Sequence, residues 1–208
     1  MLKNLAQNVI FNLKNYDYKW KFKLYIAVPI MTFLILFDWI VKWIVVAKMN
    51  ENESLIFING FLNIQYKINL GSAFGNGDSA EELKKTITLA SLFVFALIVV
   101  FIFLNDKKWI IACSLLLAGG FANLLARAWA PPTIRNGEEI YGGVVDMFVW
   151  GFNFLGSANY IFNLADLWVN IGVGVGILCL IMELVSMFTK KNKTEKIEEE
   201  EVKDEIKS

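Results

Sequence analysis

The sequence predicts an all-α membrane protein: four transmembrane helices with a small extracytoplasmic β-sheet and loop on the outer face. Three observations lead there. Of 208 residues, 56% are hydrophobic and 19% charged, below the roughly 25% charged typical of a soluble domain. The mean hydropathy is +0.49. The apolar residues also lie in four near-continuous runs instead of recurring at a helical or strand period, a pattern that suits a bilayer and not a soluble core.

The same composition excludes several kinds of chemistry. Lys plus Arg equal Asp plus Glu at 20 each, so no overall field draws in a polyanion and no nucleic acid is expected as a partner. Histidine is absent, which removes Ser-His-Asp, Cys-His and His-ligated metal chemistry. The two cysteines, Cys113 and Cys179, fall within apolar runs and read as small buried hydrophobes. Neither a disulfide framework nor a zinc site follows from them. Neither a metal nor a cofactor is expected, and any reaction must use carboxylates, amides, hydroxyls, Lys or Arg.

In chain order, residues 1–23 read as a basic cytoplasmic segment. The first span is Leu24–Ala47. It is too long for the apolar region of a secretory signal and no convincing small-residue cleavage site follows it, so it is expected to remain in the mature protein. The other spans are Thr86–Leu104, Trp109–Ala128 and Leu164–Phe188, each of at least 19 residues, where roughly 20 cross the hydrocarbon. Together, residues 24–188 form the expected membrane domain. Residues 189–208 alternate Lys with Glu and read as a solvated cytoplasmic helix or disordered tail.

Counting Lys and Arg by loop gives 13 on the side of both termini and five on the other, which makes both termini cytoplasmic. Two long outer loops remain, roughly 49–85 and 129–163. Residues 55–68 are rich in Ile, Phe and Tyr with Asn59-Gly60 in the middle, a β-hairpin signal. Phe57, Phe61 and Tyr66 suit the membrane interface. The glycine- and aromatic-bearing stretch between Pro131 and Tyr160 suggests a flap.

Charged groups at membrane depth cost on the order of 2.5–3.5 kcal/mol on insertion scales, so each asks for a reason. Asp38 and Lys42, four apart on one helical face, suit a mutual ion pair. Asp38 lies about 14 Å from the outer end of its span, at 1.5 Å per residue. Asn123 and Arg127, also four apart, suit interhelical hydrogen bonds. Asn163 and Asp166 have the spacing of a helix cap and its third residue, so Asp166 has a capping role open to it besides catalysis. Asp146 interrupts an apolar strand-like stretch and must find a partner or a proton. All of these, with Asn69, fall in or just above the outer half; Glu183, near the inner end of the fourth span, is the acidic exception. Scattered structural pairs have no reason to favour one leaflet, whereas a site opening to the outer leaflet does. A small transport or lipoprotein-binding protein with a buried charge network is the alternative reading.

The order of these motifs resembles the lipoprotein signal peptidases (signal peptidase II), bacterial membrane aspartyl proteases with four spans and both termini inside. Asp38-x-x-x-Lys42 looks like the first-span motif, and Asn69-x-Gly71-x-Ala73-Phe74 matches the family's loop motif. Gly119, Asn123 and Arg127 fit the third-span motif, and Val144-x-Asp146 fits the strand with the first catalytic aspartate. Phe162-Asn163-x-Ala165-Asp166 matches the motif around the second. The chain departs at Ala122, Ala126 and Met147, where the family usually has Gly, an acid and Phe. Without the acid, Arg127 is expected to pair elsewhere, for example with a carboxylate of another element.

The resemblance implies a dyad of Asp146 and Asp166, an aspartic endopeptidase, and cleavage of prolipoproteins before the diacylglyceryl-modified cysteine. It implies that Asn69, Asn123, Arg127 and Asn163 orient substrate backbone or support the dyad. Asp38 and Lys42 would brace the first span or the lower edge of the site, and Gly71, Gly119 and Ala165 complete the motifs. Diacylglyceryl-modified signal peptides and membrane lipids are the expected partners, and a monomer the expected state.

Overall fold

The computed structural model describes residues 2–71, 80–154 and 156–205, and the side chains of residues 4–71, 81–154 and 156–189 among them. Helix α1 (Leu2–Asn15) precedes four long helices: α2 (Trp20–Lys48), α3 (Ala80–Phe103), α4 (Lys107–Trp129) and α5 (Leu164–Glu205). Each of the four has a stretch long and apolar enough to cross a membrane, and on α5 it ends at Thr189. Half of the apolar window of α4 is buried, against 11% for each of the others. Helix α4 is therefore the centre of the bundle. The others turn residues such as Phe33, Phe95 and Leu180 outward, a surface that hydrocarbon accepts and water does not.

Two helices begin earlier than charge alone suggested. Helix α2 takes in Lys21 and Lys23, with a π-helical turn over Lys23–Ala27. Lys23 is fully buried: its Nζ donates to the Ile102 carbonyl at 2.6 Å and lies 5.3 Å from the ring centres of Trp20 and Phe101. A cation satisfied in this way need not end a span. Helix α3 begins with Glu81, Glu82, Lys84 and Lys85, one polar turn before the apolar run. At the other end of the bundle from the sheet, Glu183 of α5 accepts from Trp109 Nε1 at 2.7 Å and pairs with Lys108 at 3.0 Å. Those contacts join the start of α4 to the middle of α5 and account for the acidic outlier.

The segments between α2 and α3 and between α4 and α5 form two sheets. Strands β1 (Ser54–Ile58), β2 (Leu62–Asn69), β5 (Val144–Trp150) and β6 (Ile161–Phe162) make an antiparallel sheet in the order β1-β2-β5-β6. The hairpin at Asn59-Gly60 is its first turn. Strands β3 (Thr133–Arg135) and β4 (Glu138–Ile140) form a second hairpin inside the stretch that read as a flap. Asn136-Gly137 turns it, with both residues at positive φ, as a two-residue hairpin turn requires. One face of the larger sheet buries Tyr66, Ile68, Val145 and Met147 against Val45, Leu83 and Ala130. Strand side chains alternate, so that packing sends Asp146 to the opposite face.

Candidate active site

Asn69 and Asp146 come together through strand register. Asn69 pairs with Val144, and Lys67 with Asp146, which leaves Asn69 and Asp146 as diagonal neighbours on one face, within reach of polar side chains. Asn69 Nδ2 donates to Asp146 Oδ2 at 2.9 Å. The oxygen of the same amide, Asn69 Oδ1, accepts from Gly71 N at 2.8 Å, and Gly71 O accepts from Thr86 Oγ1 at 3.2 Å. Gly71 has φ +124, and a Cβ there would lie 2.6 Å from the Thr86 methyl. Backbone conformation and space both demand glycine at that point. Ala73 and Phe74 of the same motif lie outside the described residues.

Asp166 reaches the site from the start of α5. Asn163 Oδ1 accepts from Asp166 N at 3.0 Å, and Asp166 Oδ2 accepts from Asn163 N at 3.0 Å. The reciprocal pair is a capping box. Capping and a place beside Asp146 are thus compatible for Asp166, because one carboxylate oxygen caps while Oδ1 accepts from Asn123 Nδ2 at 2.9 Å. Asn163 also extends its amide to Asp146 Oδ1 at 2.6 Å and to Asn123 Oδ1 at 3.1 Å. One fully buried residue therefore holds both aspartates.

Below them lies the ion pair of Asp38 and Lys42, 2.7 Å apart with both side chains wholly buried. Lys42 Nζ donates to Asn123 Oδ1 at 2.8 Å, and Asp38 Oδ1 accepts from Ala165 N at 2.9 Å. The pair thereby braces the first turn of α5 as well as α2. Gly119 lets α4 approach that same turn, since a Cβ on it would overlap the Ala165 carbonyl and come within 2.6 Å of Val169 Cγ2.

Arg127 pairs outside its own helix, as the absence of an acid at Ala126 leads us to expect, though its partner is of another kind. Its Nη1 donates to the Gly142 carbonyl at 2.9 Å and not to a carboxylate. Ala126 is buried without exposure, and the guanidinium instead holds the chain where it turns, at φ +93, two residues before β5. Gly142 and Thr86 are contacts that sequence reasoning passed over. Gly142-Gly143 ahead of an apolar strand was the available signal for the first; nothing marked the second.

Asp146 is 3% exposed. Burial, then the charge of Asp166, pushes its carboxyl up to about 7, against the opposing pull of hydrogen bonds from Asn69 and Asn163 and the charge of Lys42. A carboxyl that titrates near neutrality beside a second carboxyl is suited to proton transfer at physiological pH.

Known proteins resemble the chain at the level of both sequence and structure. It is 30% identical over 171 residues to the lipoprotein signal peptidase of Staphylococcus aureus strain bovine RF122 / ET3-1, covering 80% of this chain and 93% of that one. The enzyme of S. aureus strain Newman gives the same identity and coverage. A bacterial membrane enzyme solved by the in meso method at 2.3 Å superposes with a TM-score of 0.63 and 28% identity, over 76% of this chain and 88% of that one. A second such structure, at 1.9 Å, gives 0.61 and 29%, over 74% and 91%. A family model described as signal peptidase (SPase) II matches residues 30–183, a range that takes in Asp38 through Asp166, all of α3 and α4, and most of the apolar stretches of α2 and α5. With its multi-pass helices and small antiparallel sheet, the chain belongs to the signal peptidase II family.

Proposed function

We propose that the protein is an aspartic endopeptidase of the membrane surface. It removes the signal peptide of prolipoproteins by cleaving immediately before the diacylglyceryl-modified cysteine. The observation that carries this reading is the bridge at Asn163, which donates to Asp146 through its side chain and to Asp166 through its backbone. Two carboxyls held in one buried network do not both ionise readily, so they share a proton and titrate as a pair. The ionised partner takes a proton from a water between them as the water oxygen attacks the scissile carbonyl carbon. The protonated partner donates a hydrogen bond to the carbonyl oxygen. Collapse of the tetrahedral oxyanion breaks the C–N bond, and the departing nitrogen takes a proton from the dyad, which again shares one proton.

In this reading residues 24–188 are the peptidase unit and the protein works as a monomer in the cell membrane. The distribution of Lys and Arg supports cytoplasmic termini and a dyad facing outward. The signal peptide enters from the bilayer while the acyl chains of the cysteine remain in lipid. Phe61, Trp150, Phe152 and Phe162, whose rings pack 5.1 to 5.9 Å apart, form an aromatic platform suited to the membrane interface.

The test is cleavage by the purified protein in lipid vesicles, with a prolipoprotein supplied in diacylglyceryl-modified and unmodified forms. Mass spectrometry should find one new amino terminus, at the lipidated cysteine, and no product from the unmodified precursor. Cleavage elsewhere, or the absence of any product, contradicts the reading.

A further inference from the structure

Helix α1 lies outside the range matched by the family model and plays no part in the site. Its described side chains from Asn4 to Asn15 are all exposed, among them Leu5 at 60%, Ile10 at 52% and Val9 at 49%. Leu5, Ala6, Val9, Ile10 and Leu13 recur at helical spacing and form one apolar stripe. Asn4, Gln7, Asn8 and Asn15 lie away from it, with Phe11 apart from the stripe on their side. A helix of 14 residues with an uncovered apolar face is marginal in water, since most helical stability comes from packing that face.

What covers the stripe follows from where α1 is attached. Residues Tyr16 to Lys19 interrupt the helix before α2, with Lys19 at φ 55 and ion-paired to Asp17. The connection is docked on the end of the bundle: Tyr16 Oη donates to the Phe103 carbonyl at 2.5 Å, and the Tyr18 ring lies 5.9 Å from Phe103 and 5.7 Å from Trp20. Phe103 ends one membrane helix and Trp20 begins another. Tyr and Trp gather at the level of the lipid headgroups, so this docking holds the C-terminal end of α1 at the bilayer boundary. The charges of the segment before Asp17 are Lys3 and Lys14, both complementary to anionic headgroups.

We propose that α1 is a lipid-surface anchor. It lies in the headgroup region at the end of the bundle away from Asp146 and Asp166, with its Leu5–Val9–Leu13 face in the acyl boundary, and binds more deeply where lipids are anionic. The inference is independent of the catalytic reading. It is tested on the full chain with a spin label at Val9→Cys or Asn8→Cys, in a background of Cys113→Ala and Cys179→Ala. The vesicles contain phosphatidylcholine with or without phosphatidylglycerol. The Val9 label should be relaxed by oxygen and shielded from a water-soluble nickel chelate, more so with phosphatidylglycerol, and the Asn8 label should show the reverse preference. Equal nickel access at both positions places the helix in water and overturns the proposal. So does spin–spin broadening at Val9 between molecules, which would mean that a second copy covers the stripe. Equal shielding in the two vesicles overturns its anionic-lipid component.

Discussion

Asn163 Nδ2 stands 2.6 Å from Asp146 Oδ1, and through that bond the cap of a membrane helix is joined to the middle of a β-strand. The same residue binds Asp166 twice, through its backbone N–H and its side-chain oxygen. The two aspartates are thus linked through one residue, at the sequence position that caps α5. The position of Asp146 is fixed independently by Asn69, and that of Asp166 by Asn123.

Replacing Asn163 with Ala should affect both stability and reactivity. Loss of the cap costs about 1 kcal/mol, and the acceptors left unpaired raise the total to roughly 2–3 kcal/mol. The hydrogen bond from Asn163 holds the Asp146 carboxyl down, so its loss moves that carboxyl further up. The acidic limb of the pH–rate profile for cleavage should shift to higher pH, with a fall in kcat of about 10²-fold. An unmoved limb would show that Asn163 has only a capping role.

Asp146 should make the protein less stable as pH rises. Its folded carboxyl titrates at about 7 against an ordinary value of 3.8. The protonated form is therefore favoured by folding, and its contribution is fully present below pH 4. That contribution is lost as pH rises through 7, a change on the order of 4 kcal/mol. Thermal unfolding of wild type and Asp146→Asn, followed from pH 4 to 8, should show the variant gaining relative stability across this window. Parallel curves would mean that Asp146 does not carry the raised titration.

Lys42→Met should strand Asp38 without a counter-charge in a fully buried site, at a cost of about 3–5 kcal/mol. Asp38→Asn combined with Lys42→Met should recover much of that loss, because the Asn oxygen still accepts from Ala165 N. Unfolding midpoints in detergent measure both. A double variant no better than the single would place the importance of Lys42 in its bond to Asn123 and not in the ion pair.

The spans were legible because a bilayer needs long apolar runs, and the first hairpin because Asn59-Gly60 sat between two stretches rich in Ile, Phe and Tyr. Asp38 with Lys42 and Asn163 with Asp166 were legible through helical spacing, which requires only neighbours in sequence. Lys23 was not, since its burial depends on a carbonyl 79 residues away. That Arg127 pairs outside its own helix was legible from Ala126 standing where an acid is usual, but the partner was not, because it is the backbone carbonyl at the turn of Gly142. The hairpin at Asn136-Gly137 carried its signal, but its three-residue strands are too short to show alternation.

The central claim is that Asp146 and Asp166 together perform the cleavage. The most direct measurement is the rate at which Asp146→Asn and Asp166→Asn, each reconstituted as folded protein, process a diacylglyceryl-modified prolipoprotein. Either substitution should keep the side-chain size, remove the shared proton, and reduce cleavage by at least about 10³-fold. Near-normal cleavage by either folded variant would contradict the dyad.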